Sequence, residues 1–134
     1  IVDANFDSPN LRSLVLSRAI NEMRSLMVHF GGQSETIFKY CGFGDFSLTA
    51  LNDLSRNRTL GLLIGKGFFT QGISEKVVLE GRIAVNVFFD LLQREGFSPD
   101  TFPLMHELWK VFNEKYETKK FVERILLSAS STEY

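Results

Sequence analysis

Apolar residues in the first quarter of the chain recur every three to four positions rather than every two. Leu11, Val15, Ala19, Met23, Leu26, Met27 and Phe30 trace one helical stripe after Ser8-Pro9, a cap residue followed by proline in the first turn. Leu14, Leu16, Ile20 and Val28 widen that stripe beyond a single face. This predicts a helix covered on more than one side, ended by Gly31-Gly32 and central to the domain.

A short helix is expected from Ser34 to about Tyr40, running into Cys41-Gly42-Phe43-Gly44, where two glycines permit a tight bend or a close approach. Asp45 stands at the exit of that bend, and 45–51 has the apolar content of a helix. Asn52, Asp53 and Ser55 then crowd together as a turn and cap signal. The next helix is expected from Arg56 to Lys66, with Gly67 as its stop. Further helices are predicted at about 70–78, 81–95, 103–116 and 118–127, the fourth of these opened by Thr118 and a loop from Gly96 to Asp100 separating the second from the third. Without alternating strands, repeats or a low-complexity linker, the pattern reads as an all-α, single-domain chain over 1–134, with 127–134 a frayed tail.

Composition narrows the function classes. At 134 residues the chain is long enough to bury about two-thirds of its unfolded surface, and with 44% hydrophobic residues and 13 Phe it excludes a disordered chain. A formal net charge of -1 gives no global pull towards nucleic acid or an anionic membrane, so any charge selectivity must be local. One cysteine and two histidines supply neither an internal disulfide nor a zinc ligand set, so no metal is expected and the cytoplasm is the default compartment. No apolar run approaches the roughly 20 residues of a membrane span. The first residue is Ile1 rather than Met, which points to a piece of a longer polypeptide.

Two apparent nucleotide signatures fail. Gly61-Leu62-Leu63-Ile64-Gly65-Lys66-Gly67 imitates a phosphate loop but is one residue short between its glycines, lacks the Ser or Thr that holds magnesium, and falls inside a predicted helix. Gly42-Phe43-Gly44 lacks both a preceding strand and a third glycine. Ser55-Arg56-Asn57-Arg58 is a better candidate, because a helix start offers unpaired N–H groups and a partial positive charge to an anion. Arg56 there adds a charge-assisted bond worth about 1.5–3 kcal/mol, with Asn57 and the Ser55 hydroxyl filling the remaining phosphate oxygens. The plainer alternative is a capped helix with solvated arginines. Asp45, between Phe43 and Phe46, is costly to desolvate alone and is expected to be paired, or else to cap the helix after it. Thr49 falls on the same helical face, as a hydroxyl beside the carboxylate or as a packing group. Glu80-Gly81-Arg82 reads as a polar turn before a helix, Cys41 as a buried small hydrophobe, His29 as a dipole-complementing helix end, and His106 as exposed. Trp109 and the Phe and Leu positions of the last two helices are expected in the core.

The stretch "CGFGDFSLTALNDLSRNRTLGLLIGKG" resembles the bacterial-type NAD(P)-dependent glycerol-3-phosphate dehydrogenases, in which a Gly-x-Gly-Asp segment, a Thr four residues later and a Ser-Arg-Asn-Arg run recur in this order. "IVDANFDSPNLRSLVLSRAINEMRSLMVHFGGQSETIF" resembles the first helix of that family's C-terminal domain, and "EKVVLEGR" and "FPLMHELWKVF" its closing helices. The resemblance implies an all-α substrate-binding domain of the 6-phosphogluconate dehydrogenase C-terminal-like kind. It also implies a reaction that moves hydride between NAD or NADP and carbon 2 of dihydroxyacetone phosphate or sn-glycerol 3-phosphate, a step in glycerophospholipid precursor synthesis. By the same resemblance Ser55, Arg56 and Asn57 contact the substrate phosphate, and Asp45 partners the catalytic lysine. Thr49 is on the substrate side, and Arg56, Val78 and Glu80 meet the dinucleotide. The spacing from the Arg56-Asn57 pair to Glu80 is a little short for the family. The catalytic lysine and the dinucleotide-binding domain are expected upstream of Ile1, so this segment is expected to be inactive alone, to work with its own N-terminal domain, and to form a homodimer. Two other readings stay open: the helical domain of another two-domain dehydrogenase of the hydroxyacid or ketol-acid type, or a catalytically silent helical interaction domain.

Overall fold

The computed structural model describes residues 1–68, 75–114 and 116–128, with 75–77 as backbone only. Those residues form α-helices and tighter or wider helical turns, with no strand among them. The order is α1 (Val2–Asn5), α2 (Pro9–His29), a 3-10 turn (Ser34–Phe38), a π turn (Tyr40–Gly44), α3 (Asp45–Leu51), α4 (Arg56–Gly65), α5 (Glu75–Arg94), α6 (Pro103–Asn113) and α7 (Thr118–Leu127).

Local chemistry sets most of these limits. Pro9 opens α2 where its missing N–H costs nothing, and the Ser8 hydroxyl accepts the Leu11 N–H at 3.3 Å. Gly31 and Gly67 close α2 and α4 in the left-handed region, with φ of 84° and 85°, which a side chain would strain. Pro103 opens α6, whose next two N–H groups, Leu104 and Met105, donate to the Glu22 carboxylate of α2 at 2.9 and 2.7 Å. A cap reaching across the fold thus ties the middle of α2 to the start of α6.

The main core gathers Leu60 and Ile64 of α4, Leu104 and Val111 of α6, and Phe121, Val122 and Ile125 of α7. Val122 and Ile125 are the most enclosed, at 0% and 1% exposure. The centre is therefore α7, not the long first helix, in which only Leu26 is buried among the described residues. The reason lies in the patterns: α7 concentrates its apolar residues on one narrow face that can be fully covered, whereas α2 spreads them around its circumference at half-burial. A second small cluster joins Leu26, Leu92 and Phe102.

Three further expectations change. Residues 75–94 form one continuous helix, so Glu80-Gly81-Arg82 lies inside α5 rather than in a turn. No close approach requires Gly81 there, since an added Cβ would meet Phe112 and Leu60 only at ordinary contact distance. Of the helix expected at 70–78, residues 70–74 lie outside the described residues. α6 ends at Asn113, three residues earlier than its pattern suggests. α7 runs to Leu127, and of the expected tail 129–134 lie outside the described residues.

Candidate functional site

The site begins at the π turn. Asp45 N–H donates to the carbonyl of Tyr40, five residues back, and the wide turn leads directly into α3. Gly42 is needed by close approach, because a Cβ there would collide with the Ile37 carbonyl, whereas one on Gly44 would lie 3.1 Å from the ring of the exposed Tyr40, a tight contact that this side chain can relieve by a small shift.

From α3 the chain turns into α4 by the predicted chemistry. Leu54 N–H donates to the Asn52 side chain at 2.9 Å, and the Ser55 hydroxyl caps α4 by accepting the Arg58 N–H at 3.3 Å. Between the two helices lies an open hollow of about 330 Å³ whose wall includes Thr49 and Ala50 of α3, Asn57 and Arg58 of α4, and Ile1 and Asp3. Thr49 and Asn57, expected at the site, are thus brought together on one wall. Asp45, Ser55 and Arg56 are not part of that wall.

Asp45 is exposed, and its carboxylate has no hydrogen-bond or ion-pair partner among the described residues. The expectation that it must be paired rested on burial between Phe43 and Phe46. The side chain is exposed instead, so it carries no desolvation cost, and it heads α3 without capping it. Arg56 is the first residue of α4, exposed, and likewise without a partner among the described residues. Ser55 keeps its own O–H free to donate while its oxygen serves as the cap.

Arg58 behaves in the opposite way. Its side chain is 17% exposed, and it donates from Nη1 to Asp3 at 2.8 Å and to the Ala50 carbonyl at 3.2 Å, and from Nε to Asp53 at 2.8 Å. Asp3, 11% exposed, also accepts from Arg12 Nε at 2.7 Å. Burial alone would raise the Asp3 carboxyl, but the hydrogen bonds and charges of Arg12 and Arg58 outweigh it and hold the group below its ordinary value. Asp3 is not singled out by the sequence, and Arg58 enters only as the last residue of the Ser55-Arg56-Asn57-Arg58 run, without a role of its own. A signal existed: Arg56 and Arg58 are two positions apart on one helix, so they point to different sides and cannot both face one anion.

The remaining candidates disperse. Val78 is half-buried against the main core and Glu80 is exposed, both on α5. Cys41 is exposed rather than buried, because the glycine-flanked π turn lies at the surface. His29 pairs with Glu95 and packs edge-on against Phe30 and Phe97, joining the ends of α2 and α5. His106 is half-buried rather than exposed, and its Nδ1 is enclosed without a hydrogen-bond partner among the described residues. Burial, then the charge of Lys110, pushes its pKa down. Trp109 stacks on Phe89 at 4.3 Å, partly covered. Among the described residues no group of His, Cys, Asp and Glu side chains suits a metal ion, and no helix is long and apolar enough to cross a membrane.

Thr49 and Asn57 thus line the hollow between α3 and α4, while Asp45 at the head of α3 and the unpaired guanidinium of Arg56 at the start of α4 lie outside its wall. A family model described as the NAD-dependent glycerol-3-phosphate dehydrogenase C-terminus matches residues 1–123. The chain belongs to this family. The glycerol-3-phosphate dehydrogenase (NAD(P)+) of Clostridium botulinum strain Alaska E43 is 32% identical over 135 aligned positions, covering 99% of this chain and 40% of the relative. Its counterpart in Acholeplasma laidlawii strain PG-8A is 34% identical over 87% of this chain and 35% of the relative. That of Methylococcus capsulatus strain Bath is 30% identical over 93% and 37%. The chain therefore spans about 40% of the length of the glycerol-3-phosphate dehydrogenases it matches. No solved structure matches it.

Proposed function

We propose that this chain is the substrate-binding part of an enzyme that interconverts dihydroxyacetone phosphate and sn-glycerol 3-phosphate with NAD or NADP. The observation that carries the reading is Arg56, an exposed guanidinium with no partner among the described residues, at the first position of α4. An unpaired cation beside the free N–H groups of a helix start is suited to a phosphate dianion. Ser55 donates its hydroxyl proton and Asn57 its amide to the remaining phosphate oxygens, while Thr49 faces the substrate from α3.

Binding the phosphate at that end leaves the carbonyl carbon of the substrate fixed in space, which converts a chance encounter into an oriented one. Asp45, solvated and without a partner here, is free to accept a hydrogen bond from the ammonium of a lysine in the remainder of the enzyme. Its negative charge favours the protonated lysine, the form that donates a proton to the substrate oxygen. When bound, the dinucleotide supplies or accepts the hydride. Exposed Arg56 and Glu80 and half-buried Val78 are the groups here that suit its phosphate and polar edge. The enzyme's own dinucleotide-binding domain, a homodimer and a cytoplasmic setting belong to the same proposal.

In the full-length enzyme, Arg56→Ala is expected to raise KM for dihydroxyacetone phosphate at least about tenfold, the loss of one charge-assisted bond. Arg56→Lys recovers part of it. An unchanged KM in Arg56→Ala overturns the phosphate grip.

A further inference from the structure

Arg58 follows Arg56 by two residues, a rotation of about 200° around α4, so its guanidinium faces the protein body while that of Arg56 faces solvent. Its contacts reach segments far apart in sequence. Asp3 belongs to α1, Ala50 to the last turn of α3, and Asp53 to the turn joining α3 to α4. Through Asp3 the network extends to Arg12 of α2. The same side chain also borders the hollow that holds Thr49 and Asn57.

We propose that Arg58 is the positioning residue of the phosphate grip, locking α1, the end of α3 and the start of α4 into one geometry. This rests on the function proposed above. Without the lock, Ser55, Arg56 and Asn57 still attract a phosphate, but the anchored end no longer lies at a fixed distance from Thr49 and from Asp45 at the head of α3. A misplacement of about 1 Å at a reacting centre costs on the order of 100-fold in rate. Binding, which tolerates such a shift, is affected less.

Arginine is specifically required by this geometry. The three acceptors are the Asp3 carboxylate, the Ala50 carbonyl and the Asp53 carboxylate, approached from two different guanidinium nitrogens. A lysine ammonium keeps the charge and can still pair with Asp3, yet a single nitrogen cannot hold all three in the same arrangement.

The test uses the full-length enzyme, with kcat and KM for dihydroxyacetone phosphate measured alongside thermal melting. Arg58→Lys is expected to lower kcat at least about tenfold and to leave KM within about threefold, at an assay temperature where melting shows the variant fully folded. Asp3→Asn, which keeps the side-chain shape and removes the charge, is expected to shift kcat in the same direction. The double variant should then fall short of the product of the two single effects. Wild-type kcat in folded Arg58→Lys, or full multiplication of the two effects, overturns the positioning role. The KM of Arg56→Ala separately reads the phosphate grip, so the failure of either idea is recognisable apart from the other.

Discussion

Charge on this molecule follows solvent. Asp45 and Arg56 remain in water without partners among the described residues, while Asp3 and Arg58 are drawn inward and neutralise each other. A group that holds nothing in the resting fold is one whose loss the fold does not notice. Asp45→Asn is therefore expected to leave the melting temperature of the chain unchanged and to lower kcat in the full-length enzyme, a separation that melting and steady-state kinetics on the same variant would reveal. The residue types at this site were legible in the sequence because Ser55-Arg56-Asn57-Arg58 follows a cap signal at a helix start. The division of labour between its two arginines was not. It depends on Asp3, 55 positions away from Arg58, and local pattern carries no information about that pairing.

Helix α4 owes its place to two missing side chains. A Cβ on Gly61 would lie 3.2 Å from the nitrogen of Ile1, and one on Gly65 would lie 2.5 Å from the Ala4 Cβ and 2.9 Å from the Ile1 carbonyl. The segment that imitates a phosphate loop is thus a seam along which α1 lies against α4. Gly65→Ala forces the two helices apart although alanine suits a helix better than glycine. The expected net loss is about 1–3 kcal/mol of stability, to be read by denaturant unfolding. Gain of stability instead would show that the seam relaxes freely. Elements with strong end signals, such as Ser8-Pro9 and Gly67, were readable to within a residue or two. The unbroken course of α5 through Gly81 was not, since the cost of a glycine inside a helix is offset by tertiary packing, such as that of Val78 against the main core, which local pattern does not carry.

At the scale of the whole molecule, the Asp3 network couples α1, α2 and α4, and its strength depends on pH. The folded-state pKa of Asp3 lies below its ordinary value of 3.8, so its stabilisation is fully present above that value and is lost as the pH falls through the folded pKa. Glu22 acts in the reverse sense: burial raises it above 4.5 despite the N–H groups of Leu104 and Met105, so its contribution favours folding on the acid side and fades as pH rises. Asp3→Asn is expected to flatten the fall in melting temperature below about pH 4, measured across an acid series. A fall as steep as in the unaltered chain would place the acid sensitivity elsewhere. An all-α architecture was evident from periodicity alone, but which helix occupies the centre was not, because burial is decided by how completely neighbours can close over a face. That centre is α7, the last of the described helices, whose Thr118 bonds to the Gly65 carbonyl and to Asn5, 113 positions earlier. A growing polypeptide leaving the ribosome must therefore hold Leu60, Ile64 and Val111 uncovered until α7 emerges. Synthesis of this domain carries an interval of adhesive, unfinished surface that ends only once α7 has been made.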